Sequence, residues 1–425
     1  MLVDAWLPRA AGAHPSRAAV NALSYADLDA AAAAAARRLA ARGAGPGDRI
    51  ALALEPGDAF CVALHGCLRL GAVAVPIDLR LGQAERAAHA RGCAVTVDAP
   101  LDEGDGDEHA VLRDRHDLDE PAAIIHTSGT SGTSKPVALT YGNWLWSALG
   151  SAVALGLDPE ERWLSALPLS HVGGLSIVLR SAIYATTAIV HERFDTERVL
   201  GELMSASPGA PTVVSLVPTT LRRLLDAGLR EPPALRWALV GGAPIPPALV
   251  RRAQDAGIPV ASTYGLTEAC SQVTTLGAPL FCTRVELAGD REILVSGPTV
   301  APGSGPVLRT GDLGAWDGGG ALAVTGRKAD TIVTGGENVA PDEVEAILAE
   351  HPAVGEVAVH GREHPEWGEA VVATVVLRPG AHATEQELRS HCAARLAGYK
   401  VPKDIAFAVA LPRTPSGKVI RRALR

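Results

Sequence analysis

The sequence predicts a layered α/β fold, in which a large N-terminal domain precedes a small C-terminal α+β domain. Short apolar segments such as Val73–Pro76, Val213–Val217 and Ala238–Val240 alternate with helical stretches, and this alternation is typical of a parallel sheet covered by helices. A length of 425 residues exceeds what one core normally supports, and an apolar share of 47% supplies enough material to bury. At least two domains are therefore expected.

Local signals predict the first elements. Ser24 followed by Asp27 is typical of a helix N-terminus, and the alanine-rich run that ends at Arg42 has a high helix propensity. Gly43 then favours the end of the helix. A strand is predicted next, at Ile50–Leu54.

Two breaks divide the rest of the chain. The acidic segment Asp102–Asp119 lacks apolar periodicity and predicts an exposed connection. Further along, Gly326–Asp330 precedes a helix that is expected to begin at Pro341. We place the domain boundary at this second break, which gives an N-terminal domain of residues 1–326 and a C-terminal domain of residues 327–425.

The overall charge excludes some classes of function. A net charge of −8 and a pI of about 5.9 argue against binding to nucleic acid or to an anionic membrane, since either needs a clustered basic surface. The six cysteines form no C-x-x-C pair, so free thiols in a reducing cytosol are expected. No signal sequence is visible, and no apolar run approaches the roughly 18 residues of a membrane span. The sequence therefore predicts a cytoplasmic protein whose partners are small molecules, with a homodimer left open.

A hydroxyl- and glycine-rich loop is the most informative pattern. It runs from Thr127 to Lys135, directly after the apolar Ile124–Ile125, and its amides, hydroxyls and cation are suited to wrap a polyphosphate. It is not a Walker A loop, because Ser134 stands where that motif requires glycine and Pro136 follows the lysine. A flexible linker is the alternative, but linkers are rarely bracketed by a strand and a Lys-Pro pair.

Five further motifs follow the loop in a fixed order: Tyr264–Glu268, Thr310–Asp312, Gly326–Arg327, Gly335–Asn338 with Pro341, and Pro412–Lys418. In this order the sequence resembles the acyl-adenylate-forming family, which includes acyl- and aryl-CoA synthetases, firefly luciferase and the adenylation domains of peptide synthetases. The resemblance covers nearly the whole chain. It implies a large layered α/β domain with a small mobile C-terminal lid, and it implies ATP, Mg²⁺ and coenzyme A as ligands.

The resemblance assigns roles to the nucleotide-binding motifs. Tyr264 is expected to pack on adenine, Thr267 to meet a phosphate oxygen and Glu268 to hold Mg²⁺, for which a carboxylate is a suitable ligand. Asp312 is expected to accept hydrogen bonds from the ribose hydroxyls, and Arg327 to contact ribose or phosphate.

The C-terminal motifs are expected to act in turn. The loop Gly335–Asn338 is expected to enter the site during thioester formation, and Lys418 to bridge the attacking carboxylate and the α-phosphate during adenylation. Ala329 stands where the family usually has Asp or Lys at its hinge, which leaves the pivot open. The residues with expected cofactor contacts are Thr127, Ser128, Gly129, Thr130, Ser131, Gly132, Thr133, Lys135, Gly241, Gly242, Tyr264, Asp312, Arg327, Gly335, Gly336 and Glu337.

The segment Leu167–Tyr184 resembles the substrate-side motif of the family's menaquinone-pathway members, which join o-succinylbenzoate to coenzyme A. Arg180 offers a bidentate fork for a second carboxylate, or else its side chain reaches along an apolar helix to solvent. His171 is expected beside the approach of the acyl group and the thiol, with a core histidine as the alternative. The expected substrate contacts are His171, Arg180, Gly265, Ser271 and Gln272.

The implied activity is an ATP-dependent acid:CoA ligation through an acyl adenylate. Its expected catalytic residues are Lys418, Glu268, Thr267 and His171, with Glu268 as the metal ligand. Three alternatives stay open: a CoA ligase for another aryl or acyl acid, a stand-alone adenylation domain that charges a carrier protein, and a nucleotide-binding protein without catalysis. The last would require a damaged Lys418 or Glu268, and both residues are present.

Overall fold

The computed structural model describes residues 1–102, 104–128, 134–413 and 419–424. The chain divides into two compact units. Unit 1 comprises residues 1–285 and 295–308, and unit 2 comprises residues 286–294 and 309–425.

Helices and strands alternate along much of unit 1, whereas strands predominate in unit 2. The helices of the described residues are α1 (Trp6–Ala13), α2 (Tyr25–Ala41), α3 (Asp58–Leu70), α4 (Gln83–His89), α5 (Tyr141–Leu155), α6 (Val172–Tyr184), α7 (Thr196–Leu203), α8 (Pro218–Asp226), α9 (Pro247–Asp255), α10 (Pro341–Ala349) and α11 (Glu385–Ala393). The strands are β1 (Leu2–Asp4), β2 (Ala18–Val20), β3 (Leu23–Ser24), β4 (Arg49–Leu52), β5 (Val73–Pro76), β6 (Val95–Val97), β7 (Arg115–Asp117), β8 (Pro121–Ser128), β9 (Ser134–Thr140), β10 (Arg162–Ser165), β11 (Thr187–Val190), β12 (Val213–Leu216), β13 (Trp237–Val240), β14 (Val260–Leu266), β15 (Ser271–Thr275), β16 (Ala278–Pro279), β17 (Arg284–Leu287), β18 (Glu292–Ser296), β19 (Leu308–Trp316), β20 (Leu322–Arg327), β21 (Ile332–Thr334), β22 (Glu337–Val339), β23 (Val354–His364), β24 (Gly368–Leu377) and β25 (Asp404–Phe407).

Unit 1 contains two sheets with parallel cores. The larger has the order β16-β15-β14-β13-β12-β10-β11-β2-β3, and its strands from β14 to β2 run parallel to one another. The smaller has the order β6-β4-β5-β8-β9, and only β9 runs antiparallel to its neighbour. Buried strands such as β12 consist almost wholly of apolar residues, as expected where helices cover both faces.

Unit 2 contains two smaller sheets. One has the order β17-β18-β19-β20, and in the other β24 pairs with β21, β23 and β25. Apolar residues of α10 and α11, including Val344 and Leu388, pack with those of β23 and β24 in a separate core. The α+β prediction for this part of the chain is confirmed.

The sequence signals for individual elements are mostly confirmed. Helix α2 begins with Ser24 as N-cap, whose hydroxyl accepts from the backbone amide of Asp27 at 3.2 Å, and it ends before Arg42. Helix α10 begins at Pro341 as predicted. The interpretation of residues 102–119 as an exposed connection is wrong for Arg115–Asp117, because this segment pairs with β1 and buries the ring of His116.

The division into units differs from the predicted domain boundary. The strands β19 and most of β18 group with the C-terminal residues, so the compact unit begins before residue 326. The domain boundary at 326/327 stays a prediction. No helix in the described part of the chain is long and apolar enough to cross a bilayer.

Candidate functional site

Several predicted site residues of unit 1 lie where parallel strands end. His171 follows β10, Gly241 and Gly242 follow β13, and Thr267 follows β14. Strands β11 and β12 lie on opposite sides of β10, so the winding of the sheet reverses there. Ligands of open parallel sheets bind outside the carboxyl ends at such a reversal, and this edge is the candidate site of unit 1.

The segment Tyr264–Gln272 forms a tight hairpin between β14 and β15. A Cβ atom at Gly265 would lie 1.7 Å from the carbonyl oxygen of Ser271, so only glycine fits. Cys270 and Ser271 both have positive φ angles, 52° and 87°, which non-glycine residues rarely adopt. The hairpin therefore brings together three of the residues with predicted substrate contacts, Gly265, Ser271 and Gln272, at the cost of backbone strain.

Thr267 and Glu268 lie on the 3₁₀ turn of this hairpin, and both are half-buried. The backbone carbonyl of Glu268 accepts from the amide of Ala301 at 2.8 Å, which fixes the turn. No group of three or more His, Cys, Asp or Glu side chains in the described residues could hold a metal ion by itself. A single carboxylate such as that of Glu268 is a suitable ligand for Mg²⁺ where phosphate oxygens would supply further ligands.

His171 is the N-cap of α6, and two residues that were not predicted from the sequence lie beside it. Arg80 Nη2 is 3.1 Å from His171 Nε2, and Asp78 binds the same guanidinium at 2.6 and 2.8 Å. Burial lowers the pKa of His171, Asp78 acts in the opposite direction and Arg80 lowers it further. Because Arg80 can only donate, the neutral ring carries its proton on Nδ1.

The signal for Asp78 and Arg80 was present in the sequence. Both follow β5, a fully buried strand that is parallel to its neighbours, and polar residues after such strands are candidates for a site. Their partnership with His171 could not be predicted, because it joins residues 91 positions apart on two different sheets.

Arg180 lies inside unit 1 and is only 2% exposed. Its Nη2 donates to Ser147 Oγ at 3.0 Å, and its guanidinium lies 5.6 Å from the ring centroid of Trp163. Burial lowers the pKa of Arg180. The alternative in which this side chain reaches to solvent is wrong, because α6 is covered on all sides from residue 174 to 183.

The side chain of Arg180 is linked to the hairpin of the adenylate motif. Ser147 Oγ, which accepts from Arg180, donates to the carbonyl oxygen of Cys270 at 2.6 Å. Gln272 is also buried, and its Nε2 donates to Thr275 Oγ1 at 2.9 Å while its Oε1 has no partner in the described residues.

The hydroxyl- and glycine-rich loop lies between β8 and β9. Thr127 pairs with Lys135 across this antiparallel pair, and Thr127 Oγ1 is 3.3 Å from the carbonyl oxygen of Lys135. The predicted strand before the loop is confirmed as β8. Gly129, Thr130, Ser131, Gly132 and Thr133 lie outside the described residues, as does the side chain of Ser128.

In unit 2, Asp312 and Arg327 face each other across β19 and β20. Arg327 Nε donates to Asp312 Oδ1 at 2.6 Å, and the carboxylate is largely buried. The structure therefore brings together two residues with expected ribose contacts, and an ion pair orients the carboxylate.

Gly335 and Gly336 form the turn between β21 and β22. Their φ angles are 58° and 84°, and Thr334 pairs with Glu337 across them. A two-residue hairpin turn with positive φ at both positions favours glycine, so the hairpin itself is sufficient to require both glycines. Lys418 lies outside the described residues.

The chain matches the AMP-binding enzyme family over residues 7–97 and 88–304, and it matches the AMP-binding enzyme C-terminal domain over residues 343–418. It is 36% identical to a 2-succinylbenzoate--CoA ligase of Bacillus licheniformis, with 100% of each chain covered. It is 37% identical to the 2-succinylbenzoate--CoA ligase of Geobacillus kaustophilus, with 99% of this chain and 97% of the other covered.

Solved structures show the same similarity. The o-succinylbenzoate CoA synthetase of Bacillus subtilis in complex with the acyl-adenylate intermediate OSB-AMP superposes with a TM-score of 0.93 at 34% identity, with 100% of this chain and 98% of that chain covered. ATP-bound MatB from Rhodopseudomonas palustris superposes with a TM-score of 0.89 at 27% identity, with 99% and 98% covered.

Proposed function

Because this chain belongs to the AMP-binding enzyme family, we propose that it is an AMP-forming acid:CoA ligase that converts o-succinylbenzoate to o-succinylbenzoyl-CoA in menaquinone biosynthesis. Its substrates are ATP, coenzyme A and the acid, and Mg²⁺ is its metal. The full-length similarity to 2-succinylbenzoate--CoA ligases supports this activity.

The burial and the neighbours of Arg180 are the observation that supports o-succinylbenzoate as the acid. In the described part of the chain no carboxylate lies within 4.0 Å of its guanidinium, and the side chain is withdrawn from water. A buried cation normally has an anionic partner. We propose that the second carboxylate of o-succinylbenzoate, the one that is not activated, is that partner.

The first half-reaction forms the acyl adenylate. The substrate carboxylate attacks the α-phosphorus of ATP, a new carbon-oxygen-phosphorus linkage forms, and the bond to pyrophosphate breaks. Lys418 and the loop Thr127–Lys135 neutralise the negative charge that develops on the phosphoryl oxygens. Mg²⁺ at Glu268 supplies further charge neutralisation for the phosphates when it is bound.

The second half-reaction forms the thioester. The thiol of coenzyme A attacks the acyl carbon, AMP leaves with the former carboxylate oxygen, and the thiol proton is released. His171 borders this approach, where Arg80 and Asp78 hold its ring in one orientation. The family mechanism expects the C-terminal domain to turn between the two steps, so that the Gly335–Asn338 loop replaces Lys418.

Pyrophosphate release and thioester formation test the proposal. Both are measured with MgATP and a panel of o-succinylbenzoate, benzoate and medium-chain fatty acids, with and without coenzyme A. A strong preference for o-succinylbenzoate with its CoA thioester as product is expected. Turnover only with another acid would contradict o-succinylbenzoate as the substrate but would still support a CoA ligase. Transfer of the acyl group only to a carrier protein would favour the stand-alone adenylation domain.

We also propose that the chain is cytoplasmic, because its proposed substrates include ATP and coenzyme A. The homodimer stays a prediction, which light scattering of the purified protein would test.

A further inference from the structure

One arginine of unit 2 contacts three carboxylates, one from the turn at Asp330 and two from helix α10. The guanidinium of Arg421 lies 2.9 Å from Asp330 Oδ2, 2.5 Å from Asp342 Oδ1 and 2.9 Å from Glu345 Oε2. Its side chain is 21% exposed, so water screens these pairs only in part. Although burial disfavours its charge, the three carboxylates raise the pKa of Arg421 above its ordinary value.

These carboxylates lie in or next to two segments with an expected role, the hinge and the Gly335–Asn338 hairpin. Asp330 ends the turn that contains the hinge position Ala329. Asp342 lies in the first turn of α10, directly after the hairpin that carries Gly335 and Gly336. Glu345 is one turn further along α10, and its carboxylate also accepts from the backbone amide of Val359 in β23 at 2.7 Å.

Arg421 itself follows Lys418 by three residues. The described residues on either side of positions 414–418 are anchored: Arg413 pairs with Val419, and the amide of Ile420 donates to the carbonyl of Pro412 at 2.8 Å. Arg413 also contacts Glu356 of β23 at 2.8 Å. The described residues on the two sides of positions 414–418 are therefore joined to β23 through Arg413, and to the hinge turn and α10 through Arg421.

The other side of the hinge is held by a different set of ion pairs. Lys328 Nζ lies 2.6 Å from Asp290 Oδ2 and 3.3 Å from Glu292 Oε2, both next to the sheet β17–β20. Ala329 thus stands between Lys328, which is tied to one sheet of unit 2, and Asp330, which is tied to Arg421.

We infer that Arg421 is a positioning residue, which ties the chain directly after the lysine motif to the hinge turn at Asp330 and to helix α10, next to the Gly335–Asn338 hairpin. This inference rests on the proposed function, in which Lys418 acts in adenylation. Because one guanidinium joins Asp330, α10 and the residues that follow the lysine motif, loss of the guanidinium should let these segments move independently of one another.

The two half-reactions test this inference separately. In Arg421→Gln the rate of pyrophosphate release with o-succinylbenzoate and MgATP should fall by about 10²-fold, since a small misplacement of a reacting group has an effect of this order. Thioester formation from chemically prepared acyl adenylate and coenzyme A does not need Lys418 and should fall much less. Arg421→Lys keeps the positive charge but loses the planar guanidinium with its several donors. Its rate of pyrophosphate release should lie between those of the wild type and Arg421→Gln.

Two further variants separate positioning from a loss of folding. Asp330→Asn removes only the link to the hinge and leaves Arg421 two carboxylates, so it should fold and should still slow adenylation selectively. Arg362→Gln breaks an exposed ion pair with Asp404 in the same unit and should change neither half-reaction. Equal losses in both half-reactions for Arg421→Gln and Asp330→Asn, or no loss in either, would overturn the inference.

Amide hydrogen exchange gives a result that does not depend on activity. Arg421→Gln should raise exchange together in residues 328–342 and 412–424, and leave β23 and β24 protected. A rise confined to residues 412–424 contradicts a link to the hinge. If the wild type activates no acid of the panel, the proposed function fails, and the exchange result alone decides whether Arg421 joins these segments.

Discussion

Unit 1 and unit 2 each contain an arginine that is largely withdrawn from water, but the two arginines have different neighbours. Arg180 in unit 1 is almost fully buried, with one serine hydroxyl and one tryptophan ring as neighbours. Arg421 in unit 2 is less buried but meets three carboxylates. Arg421 thus forms ion pairs that join segments of unit 2, whereas Arg180 has no carboxylate within ion-pair distance among the described residues and meets the charge of Glu161 only at longer range.

Because of this difference, replacement of the two arginines should affect stability in different ways. An isolated buried charge lowers stability, because its desolvation is only partly offset. A cation among three carboxylates stabilises them, because its loss leaves like charges close together. Stability and activity should therefore change in opposite directions at position 180 and in the same direction at position 421.

Arg180→Met is expected to have the largest effect on catalysis. It should lower kcat/KM for o-succinylbenzoate by about 10² to 10³-fold, because a buried charged partner of the substrate is lost. The thermal midpoint should stay the same or rise, since Met fills the space without a charge. Steady-state kinetics and calorimetry of one preparation measure both quantities.

A substrate analogue decides whether Arg180 acts on the second carboxylate. With 4-phenyl-4-oxobutanoate, which keeps the succinyl carboxylate but lacks the one on the ring, the variant and the wild type should differ little. A similar loss with both acids would mean that Arg180 acts through Ser147 on the hairpin of Glu268. Arg236→Met, which breaks the pair with the buried Glu161 at 2.9 Å in the same unit, is the matched control and should reduce stability without this substrate selectivity.

Arg421→Met should have the opposite effect on stability. We expect the free energy of unfolding of unit 2 to fall by about 3 kcal/mol, because Asp330, Asp342 and Glu345 then lack their cation. Denaturant titration at neutral pH measures the change. Lowering the pH towards the ordinary pKa values of carboxylates should restore part of the loss in the variant, and a loss that does not depend on pH would contradict the electrostatic cause.

The contrast between the two arginines also shows what the sequence could predict. The order of motifs predicted the fold, and local patterns of glycine, proline and apolar residues predicted helix α2, strand β8 and the start of α10. The neighbours of Arg180 and Arg421 come from elements far apart in the chain, and no local pattern encodes such contacts. The sequence alone therefore left two alternatives for the environment of Arg180, and it contains no local signal for a role of Arg421.

His116 extends the comparison to a group that stays neutral because it lacks a counter-charge. Burial, together with the neighbouring His65, Arg113 and Arg69, lowers the pKa of His116 to about 3. In the described residues its Nδ1 has no partner, and its ring stacks on Tyr141 at 4.1 Å.

The acid sensitivity of unit 1 should depend on this residue. The stabilising contribution of neutral His116 is complete above pH 6.5 and is lost as the pH falls towards 3, since only the unfolded chain binds the proton. Protonation of His116 in the unfolded chain should make the free energy of unfolding about 2 kcal/mol lower at pH 5 than at pH 7. Unfolding curves of His116→Phe should lose this part of the pH dependence, whereas the difference between variant and wild type should be constant above pH 7.5.

Arg80 lies between the two extremes, because it shares its guanidinium between Asp78 and the imidazole of His171. Removing the cation in Arg80→Gln should raise the pKa of His171, because the positive charge that lowers it is lost while Asp78 still raises it. The acidic limb of the pH profile for thioester formation should move to higher pH, and the rate at neutral pH should fall by about tenfold. Asp78→Asn should move that limb to lower pH. Since Arg80 contacts the histidine and not the adenylate motif, pyrophosphate release without coenzyme A should be unchanged in both variants, and a matching loss there would assign Arg80 to the nucleotide instead.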